Sequence, residues 1–378
     1  TWFAGHGMID EAIRHALAAG DVERAAMLVE QHRQAILNDD RVYILEQWLT
    51  RLPDTVKTQR PALLLAQAWV CYSHFQLLDI LPLVDAVESL LHHDPTDDPF
   101  YGEVAFFRGY CSLFQGESAR CLEYLSQALT RIPFTFQFIR GEAEIVFGLA
   151  SHMEGQHPGV VQTLKDILAH QHAITSIRKS RVLAALVFLK MLAAKFDDTA
   201  LLYTNQLYDV AMHSHYDYAN AFSYYLRGFI ACARNDLEAA IAQFRQAVEK
   251  RYILHTRAAV DALTGLSLAY QLSHQREQAT ATLALLFEFV RPFHDPAFFA
   301  IAESWQAMLS LMQGELKSAV RWLSTSSAPA AEAVMLWWLE SPAVTACRVL
   351  LAEGSETGLQ DAEQQLQNYY PINQAQHN

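Results

Sequence analysis

One spacing runs through most of this 378-residue sequence and restricts the folds that it can adopt. Six positions, here called the repeat anchors, recur at intervals of 39 or 40 residues: Gly109, Gly148, Phe188, Gly228, Ser267 and Ala307. A fixed period of roughly 20–50 residues is typical of stacked repeat arrays, in which each repeat covers the apolar face of its neighbour. The period therefore predicts a solenoid, and the length, which exceeds that of an ordinary single core, agrees with it.

The segment around Gly228 indicates what one repeat contains. Tyr224 precedes this anchor by four residues, and Ala240, Phe244 and Ala247 follow it by 12, 16 and 19. This is the tetratricopeptide spacing, in which small residues let two helices approach and an aromatic ring fills the gap toward the next pair. The sequence therefore predicts an all-α fold, a right-handed superhelical solenoid of antiparallel, tetratricopeptide-like helix pairs.

Turn residues support the same repeat. A residue that tolerates the left-handed conformation follows four anchors by seven positions, where the first helix of a pair should end: Gly116, Gly155, Asn235 and Gly314. The last helix pair is more polar than the others, as a terminal capping repeat should be. We expect three segments: N-terminal helical hairpins over 1–60 that join an upstream module, the repeat array over 61–340, and a capping helix pair with a tail over 341–378.

Composition excludes several classes of function. The formal charge is −13, from 28 basic and 41 acidic residues, so the chain is not expected to bind nucleic acid directly. Five cysteines without a CxxC pair argue against a zinc site or a disulfide framework and favour a reducing cytoplasm. No signal peptide or membrane-spanning apolar run is present, so we expect a cytoplasmic protein that makes no membrane contact.

The sequence contains no pattern that indicates catalysis. It lacks a phosphate-binding GxxxxGK[ST] loop, a GxSxG elbow and an HExxH pair, so we expect no enzyme, cofactor or metal in this chain. Residues one or two apart do not share a helix face, so the paired histidines favour capping or solvated roles: His92, His93, His170, His172, His213 and His215. Adjacent tryptophans cannot both face one core, so one of Trp337 and Trp338 is expected to be buried. A place for the other at an interface or ligand site is the less favoured of the alternatives.

The inner face of the solenoid is the remaining candidate site. The first helix of each pair should line this face, with the positions three before, one after and four after each anchor pointing inward, and with acids six before two anchors. This gives the candidate groove residues Phe106, Tyr110, Glu142, Ile145, His152, Tyr225, Phe229, Asp261 and Gln271. Such an aromatic face with a few polar groups suits a small molecule or a peptide. A tight superhelix that buries these residues against one another is equally consistent with the pattern.

Several stretches resemble one family. They are Trp2-Phe3, Gly7–Asp21, Arg24–Glu30, Trp48-Leu49, Leu52-Pro53, Arg60-Pro61, Ala66–Trp69 and Thr345–Gly354. In these stretches the chain resembles the helical region of the MalT-like regulators, which are large ATP-binding regulators of the LuxR family within the STAND class. The resemblance covers essentially the whole chain. Its opening motif is fairly specific, whereas the middle repeats are generic.

The resemblance implies a role in transcription activation. Members carry a nucleotide-binding module, a winged-helix segment, this helical array and a C-terminal helix-turn-helix, and the full-length protein is implied to self-associate. Because the chain lacks both the P-loop and the helix-turn-helix, we expect a sensor region that binds an inducer, either a small molecule or a regulatory protein, and relays it to the absent domains. The alternative is a scaffold that binds only protein, with Tyr110, Tyr225 or Phe229 anchoring a peptide.

Overall fold

The structure, a computed structural model, describes residues 2–91, 99–169, 174–214, 216–325 and 338–375. Within these ranges the backbone forms helices and short connections, and it contains no strand. No helix among them combines the length and the apolar character needed to cross a membrane. The all-α fold built from helix pairs is confirmed, whereas the handedness of the array stays a prediction. The expectations for Trp337 and for five of the histidines concern positions outside these ranges: His92, His93, His170, His172 and His215.

The N-terminal helices form two hairpins and their connections. Their bounds are α1 Trp2–Gly5, α2 Ile9–Ala18, α3 Val22–Asn38, α4 Val42–Leu49, α5 Asp54–Lys57, α6 Pro61–His74 and α7 Leu77–Leu90.

Five regular pairs follow. Their bounds are α8 Pro99–Phe114, α9 Ser118–Arg131, α10 Gln137–Met153, α11 His157–Ala169, α12 Ser176–Leu192, α13 Asp198–Ser214, α14 Asp217–Ala233, α15 Leu237–Glu249, α16 Thr256–Leu272 and α17 Arg276–Val290.

The C-terminal part begins with a short 3₁₀ helix over Arg291–Phe293. It continues with α18 Pro296–Met312, α19 Leu316–Thr325, α20 Pro342–Glu353 and α21 Glu356–Ala375. The final residues were expected to form either a tail or a truncated continuation of the helices, and α21 runs on through Pro371 to Ala375.

The helices group into two compact units. The first comprises the described residues of Thr1–Ser151, Pro158–Ala185 and Val210–Tyr218, and the second those of His152–His157, Leu186–Asp209 and Ala219–Asn378. These units are groups of packed helices, whereas the three segments predicted from the sequence are stretches of chain. The three-segment division therefore stays a prediction.

Close packing at the anchors explains the repeat spacing. A Cβ atom on Gly228 would lie 2.7 Å from Cδ1 of Phe244, and one on Gly109 would lie 2.7 Å from Cδ2 of Leu125. Phe244 is fully buried, as are Ala240 and Ala247. In these two pairs the helices can therefore approach to this distance only because the anchor is a glycine.

The turns also follow the prediction. All four residues seven positions after an anchor have a positive φ: 79° at Gly116, 73° at Gly155, 61° at Asn235 and 82° at Gly314. After Asn235, the carboxylate of Asp236 accepts a hydrogen bond from the Ala239 N–H at 3.2 Å. A left-handed residue thus ends the first helix of the pair, and an acidic cap begins the second.

Adding one methyl group at an anchor tests this packing. Gly228→Ala should lower the free energy of unfolding by about 1–3 kcal/mol, because the new Cβ overlaps the Phe244 ring. Gly159→Ala is the matched control, since Gly159 lies in α11 and has no atom within 4 Å of its added Cβ. The control should gain about 0.5–1 kcal/mol of helix stability. Urea unfolding measures both changes, and equal effects of the two substitutions would contradict the packing.

Candidate functional site

A buried carboxylate recurs at one position of the repeat. Glu103, Glu142 and Asp261 each lie six residues before an anchor, and none of them is more than 4% exposed. Each accepts a hydrogen bond from an arginine or lies beside one, and each also accepts one from an aromatic side chain. A charge removed from water in this way is tolerated only when it is paired and hydrogen-bonded.

The first of these sites joins α3, α6 and α8. Arg33 donates from both terminal nitrogens to the carboxylate of Glu103, at 2.9 and 2.6 Å. The indole N–H of Trp69 donates to the same carboxylate at 2.9 Å. This bidentate arrangement fixes the orientation of both side chains and leaves both Glu103 oxygens hydrogen-bonded.

The second site, here called the Arg181 cluster, consists of Asp40, Tyr72, Glu142, Arg181 and Tyr218. Arg181 donates to Asp40 at 2.5 and 3.0 Å and to Glu142 at 2.8 Å. The hydroxyl of Tyr72 donates to the other Glu142 oxygen at 2.7 Å. The guanidinium carbon of Arg181 lies 4.8 Å from the centre of the Tyr218 ring. One arginine therefore hydrogen-bonds two carboxylates and also contacts the face of an aromatic ring.

Burial and charge oppose each other in the Arg181 cluster. Burial raises the pKa of Asp40, although the Arg181 charge acts against this shift. Burial alone would lower the pKa of Arg181, but the Asp40 and Glu142 carboxylates raise it above its ordinary value. Burial, and then the Glu142 charge, raises the pKa of Tyr72 well above 10. Arg181 thus stays charged and compensates the desolvated acids.

The C-terminal end of α3 contacts helices that are distant in the order of the chain. Asp40, at the start of the turn after α3, reaches Arg181 on α12. The side chain of Asn38 donates to the Thr135 carbonyl at 2.8 Å and accepts from the Phe138 N–H at 3.1 Å. In a simple solenoid each repeat contacts only its neighbours. These contacts therefore fix α10 and α12 relative to the N-terminal hairpins.

The third site, here called the Arg257 cluster, lies in the second unit. Asp261 Oδ2 accepts a hydrogen bond from the Tyr225 hydroxyl at 2.9 Å, and its Oδ1 lies 3.5 Å from a terminal nitrogen of Arg257. Burial raises the pKa of Asp261, and burial lowers the pKa of Arg257. Burial thus disfavours the charge on both groups, and the attraction between Asp261 and Arg257 opposes this effect.

A short connection that precedes α20 completes this cluster. Residues 338–340, here called the return segment, run across α16 and α18. The Leu339 N–H donates to Asp261 Oδ1 at 2.8 Å. Glu340 is 1% exposed, and its Oε1 accepts from the hydroxyls of Ser304 and Thr345, each at 2.7 Å. The connection into α20 is therefore anchored through its main chain and through a buried acid.

The structure buries nearly all of the groove residues that the sequence proposed. In the first unit the exposed fractions are 0% for Phe106, 4% for Tyr110, 4% for Glu142 and 9% for Ile145. In the second unit they are 6% for His152, 0% for Tyr225, 6% for Phe229 and 0% for Asp261, whereas Gln271 is half-buried. Binding of a ligand by these residues stays a prediction, and in this conformation their side chains pack against protein.

Sequence reasoning placed the acids on the inner face but missed their partners. Glu142 and Asp261 were found because they share a position relative to their anchors. Aligning all six repeats on their anchors would have added Glu103 to the same position. Arg181 lies seven residues before its anchor and Arg257 ten, so no common spacing indicates the arginines.

An open groove lies in the C-terminal part of the second unit. It is bounded by α18, α19, α20 and α21, has a volume of about 950 Å³, and is here called the C-terminal groove. Its apolar lining includes Pro296, Phe299, Trp322, Leu323 and Leu350. Its polar lining includes Glu303, Asp361, Gln365, Asn368 and Tyr369. A volume near the upper end of the usual range for ligand sites, with mixed lining, suits a small molecule.

Two observations refine what this groove offers. The indole nitrogen of Trp322, one of the lining residues, is buried and has no hydrogen-bond partner among the described residues. In the part of the chain that the structure describes, no three histidine, cysteine, aspartate or glutamate side chains are grouped as a metal site requires. The mixed apolar and polar lining makes the groove a candidate site for an organic ligand.

Comparison with known proteins identifies relatives of this chain. The family model described as the MalT-like TPR region matches residues 102–371. The HTH-type transcriptional regulator MalT of Yersinia enterocolitica is 29% identical over 215 residues, which cover 54% of this chain and 24% of that protein. The corresponding regulator of Yersinia pestis is 30% identical over 148 residues, covering 39% and 16%. The matched stretches thus span about a quarter or less of these relatives.

One solved structure shares the arrangement of helices. It is the Rap conjugation gene regulator of the plasmid pLS20 in complex with the Phr* peptide, with a TM-score of 0.52 and 13% sequence identity. The alignment covers 92% of this chain and 96% of that one. At this identity the likeness supports the fold of stacked helix pairs.

Removing the arginine from the Arg181 cluster tests its role. Arg181→Leu should lower the free energy of unfolding by about 3–5 kcal/mol, because Asp40 and Glu142 are left buried without a cation. Arg120→Leu is the matched control, since Arg120 forms an exposed pair with Glu117. The control should leave the urea unfolding midpoint nearly unchanged. A similar small loss in both variants would show that the buried cluster contributes little.

Neutralising Glu340 should change the dependence of stability on pH. Burial raises the pKa of Glu340 above its ordinary 4.5, although Thr345, Ser304, Arg348 and Arg257 act against this shift. The folded protein therefore holds this proton more tightly than the unfolded chain. The contribution of Glu340 to stability is fully present below about pH 4.5 and declines as the pH rises from there through the folded-state pKa.

Glu340→Gln keeps an oxygen that can accept from both hydroxyls but cannot ionise. Its melting temperature should fall less than that of the wild type between pH 4 and pH 7, and the two proteins should converge at the acid end. Melting temperatures across this pH range make the comparison. Parallel curves for the two proteins would be inconsistent with a raised pKa at this site.

Proposed function

Because the chain belongs to the family of MalT-like TPR regions, we propose that it is the signal-receiving region of a bacterial transcription activator and that a small-molecule inducer binds in the C-terminal groove. The observation that carries the proposal is this open, mixed-polarity groove of about 950 Å³ within the matched region. The chain itself is proposed to be non-catalytic. Nucleotide binding and DNA binding are proposed for other modules of a full-length regulator.

The lining of the groove restricts the chemistry of the inducer. Glu303 and Asp361 place two acidic groups on the walls, so an anionic ligand would be repelled. Phe299 and Trp322 offer aromatic faces, and Gln365 adds an amide that can both donate and accept. The ligand that fits best is a neutral or cationic molecule with hydroxyl or amine donors and one flat apolar face.

The position of the groove supports a switching role. Its walls come from four helices of the second unit, so a ligand that fills it contacts α18 and α20 at once. Such a ligand stabilises whichever arrangement of these helices matches its shape and thereby shifts the population toward that arrangement. We propose that this shift is the signal that the array relays to the nucleotide-binding and DNA-binding modules.

Burial of the inner face disfavours the alternative function. A protein-only scaffold with a peptide anchored on Tyr110, Tyr225 or Phe229 would need these side chains at a surface. They are 4%, 0% and 6% exposed, so such a peptide could bind only after the helices separate. The C-terminal groove requires no such separation, and it is therefore the proposed inducer site.

Filling the groove with a bulky side chain tests the proposal. A thermal-shift screen of neutral sugars, polyols, nucleosides and amines should find compounds that raise the melting temperature of the wild type. Ala300→Trp places an indole among the lining residues and should weaken binding of each such compound at least about tenfold, or about 1.4 kcal/mol. Titration calorimetry measures the affinities.

The control substitution lies on the same helix. Ala297→Trp alters an exposed residue of α18 that does not line the groove, so it should leave affinities unchanged. The proposal fails if no compound stabilises the wild type, or if Ala300→Trp and Ala297→Trp bind the active compounds equally well.

A further inference from the structure

We propose that the face of α16 and α18 around Arg257, Asp261 and Ser304 is a peptide-binding site that the return segment occupies in cis. Its ligand in trans is an extended segment of a partner protein, with an aromatic residue, a leucine and a glutamate in succession. This site is separate from the C-terminal groove. The inference therefore does not depend on a small-molecule inducer.

The first argument is the capture of main-chain groups. Asp261 accepts the Leu339 N–H at 2.8 Å, and Arg257, one helical turn earlier on α16, donates to the Glu340 carbonyl at 3.0 Å. The backbone is extended at Ser341, directly after the return segment, where φ is −137° and ψ is 117°. Side chains that bind both a donor and an acceptor of an extended backbone recognise a peptide irrespective of its sequence.

The second argument is that each side chain of the return segment meets a complementary surface. The Trp338 ring lies 4.2 Å from the guanidinium carbon of Arg257. A Cβ atom on Gly265 would lie 2.5 Å from Cζ of Phe244 and 2.7 Å from Cδ1 of Leu339, so the absence of a side chain at this position of α16 makes room for the ring and for the leucine. Three successive residues are thus recognised by cation–π contact, by shape and, at Glu340, by hydrogen bonding.

Glu340 accepts hydrogen bonds from two hydroxyl groups, one on α18 and one on α20. Ser304 on α18 donates to Glu340 Oε1 at 2.7 Å, and a glutamate on a peptide in trans would find this same hydroxyl. Thr345 also donates to this oxygen, but it lies on α20, which follows directly from the return segment. The site on α16 and α18 therefore contains its own donor for the acid and does not require α20.

The cis occupant is held incompletely, which allows replacement. Glu340 Oε2 and one terminal nitrogen of Arg257 are buried without a hydrogen-bond partner among the described residues. A buried polar atom without a partner destabilises the state that contains it. A peptide in trans brings its own glutamate, which is free of the geometric restriction imposed by α20. It can therefore hydrogen-bond both carboxylate oxygens and displace the return segment.

The return segment is covalently attached to the site for which a free peptide must compete, and the measurement has to allow for this. A covalently attached segment competes at an effective concentration on the order of millimolar, so free peptide should bind the wild type only weakly. Trp338→Ala combined with Leu339→Ala removes the two largest contacts of the return segment and should vacate the site. The probe is a fluorescein-labelled peptide with the sequence of residues 338–342, Trp-Leu-Glu-Ser-Pro, and the readout is fluorescence anisotropy.

The double variant should bind this peptide at least tenfold more tightly than the wild type does. The matched control peptide carries Leu339→Ala and should bind the double variant at least tenfold more weakly, because the space beside Gly265 stays unfilled. Adding Ser304→Ala to the double variant should weaken binding of the Trp-Leu-Glu-Ser-Pro peptide. Circular dichroism establishes that each variant retains its helices.

A second measurement uses the unaltered chain and covers the case in which the double variant fails to fold. Amide hydrogen exchange at Leu339 should accelerate when the peptide is added at several millimolar, because its N–H is released from Asp261. Exchange at Leu263, fully buried within α16, should not change.

Several outcomes would overturn the peptide site. They are equal peptide affinity in the double variant and the wild type, indifference to the leucine, and unchanged exchange at Leu339 in the unaltered chain. Dimerisation of the double variant without peptide binding would also overturn it and would indicate a second copy as the occupant. Loss of small-molecule binding in Ala300→Trp is measured separately, so failure of one proposal can be distinguished from failure of the other.

Discussion

A buried carboxylate that is held by an arginine and an aromatic donor is the interaction on which both units depend. Glu103, Glu142 and Asp261 occupy one position of the repeat, and each would be strongly destabilising without its partners. Such groups accept few alternative arrangements, because any shift of a helix must either keep the hydrogen bonds or break them together. The interior of the array is therefore specified by polar geometry as well as by apolar packing, and its changes of conformation should be discrete.

The C-terminal groove and the return segment are connected through α20. α20 begins two residues after Glu340, and it also forms one wall of the groove. A ligand in the groove and a peptide on α16 and α18 would thus act on the same short stretch of chain. If both proposals hold, linkage requires each ligand to change the affinity of the other by the same factor. A receiving domain with two inputs would follow from this arrangement.

The sequence predicted the features that recur with the repeat spacing, and it missed those that do not recur. Anchors such as Gly228, the left-handed turn at Asn235 and the buried Phe244 follow from a fixed spacing, and the structure confirms them. Burial of Tyr225 was one of two alternatives that the pattern left open, because periodicity gives the face of a helix but not the distance to the opposite face. Asp40 and Glu340 lie in connections, where no repeat indicates which helix a side chain will reach.

A double-mutant cycle on Glu142 and Arg181 tests the central claim most directly. Free energies of unfolding are measured for Glu142→Gln, for Arg181→Met and for the combined variant. If the buried carboxylate and arginine hold each other in place, the two substitutions should be non-additive, with a coupling of about 1–3 kcal/mol. Additivity within about 0.5 kcal/mol would contradict the account, because it would mean that apolar packing alone determines the arrangement of these helices.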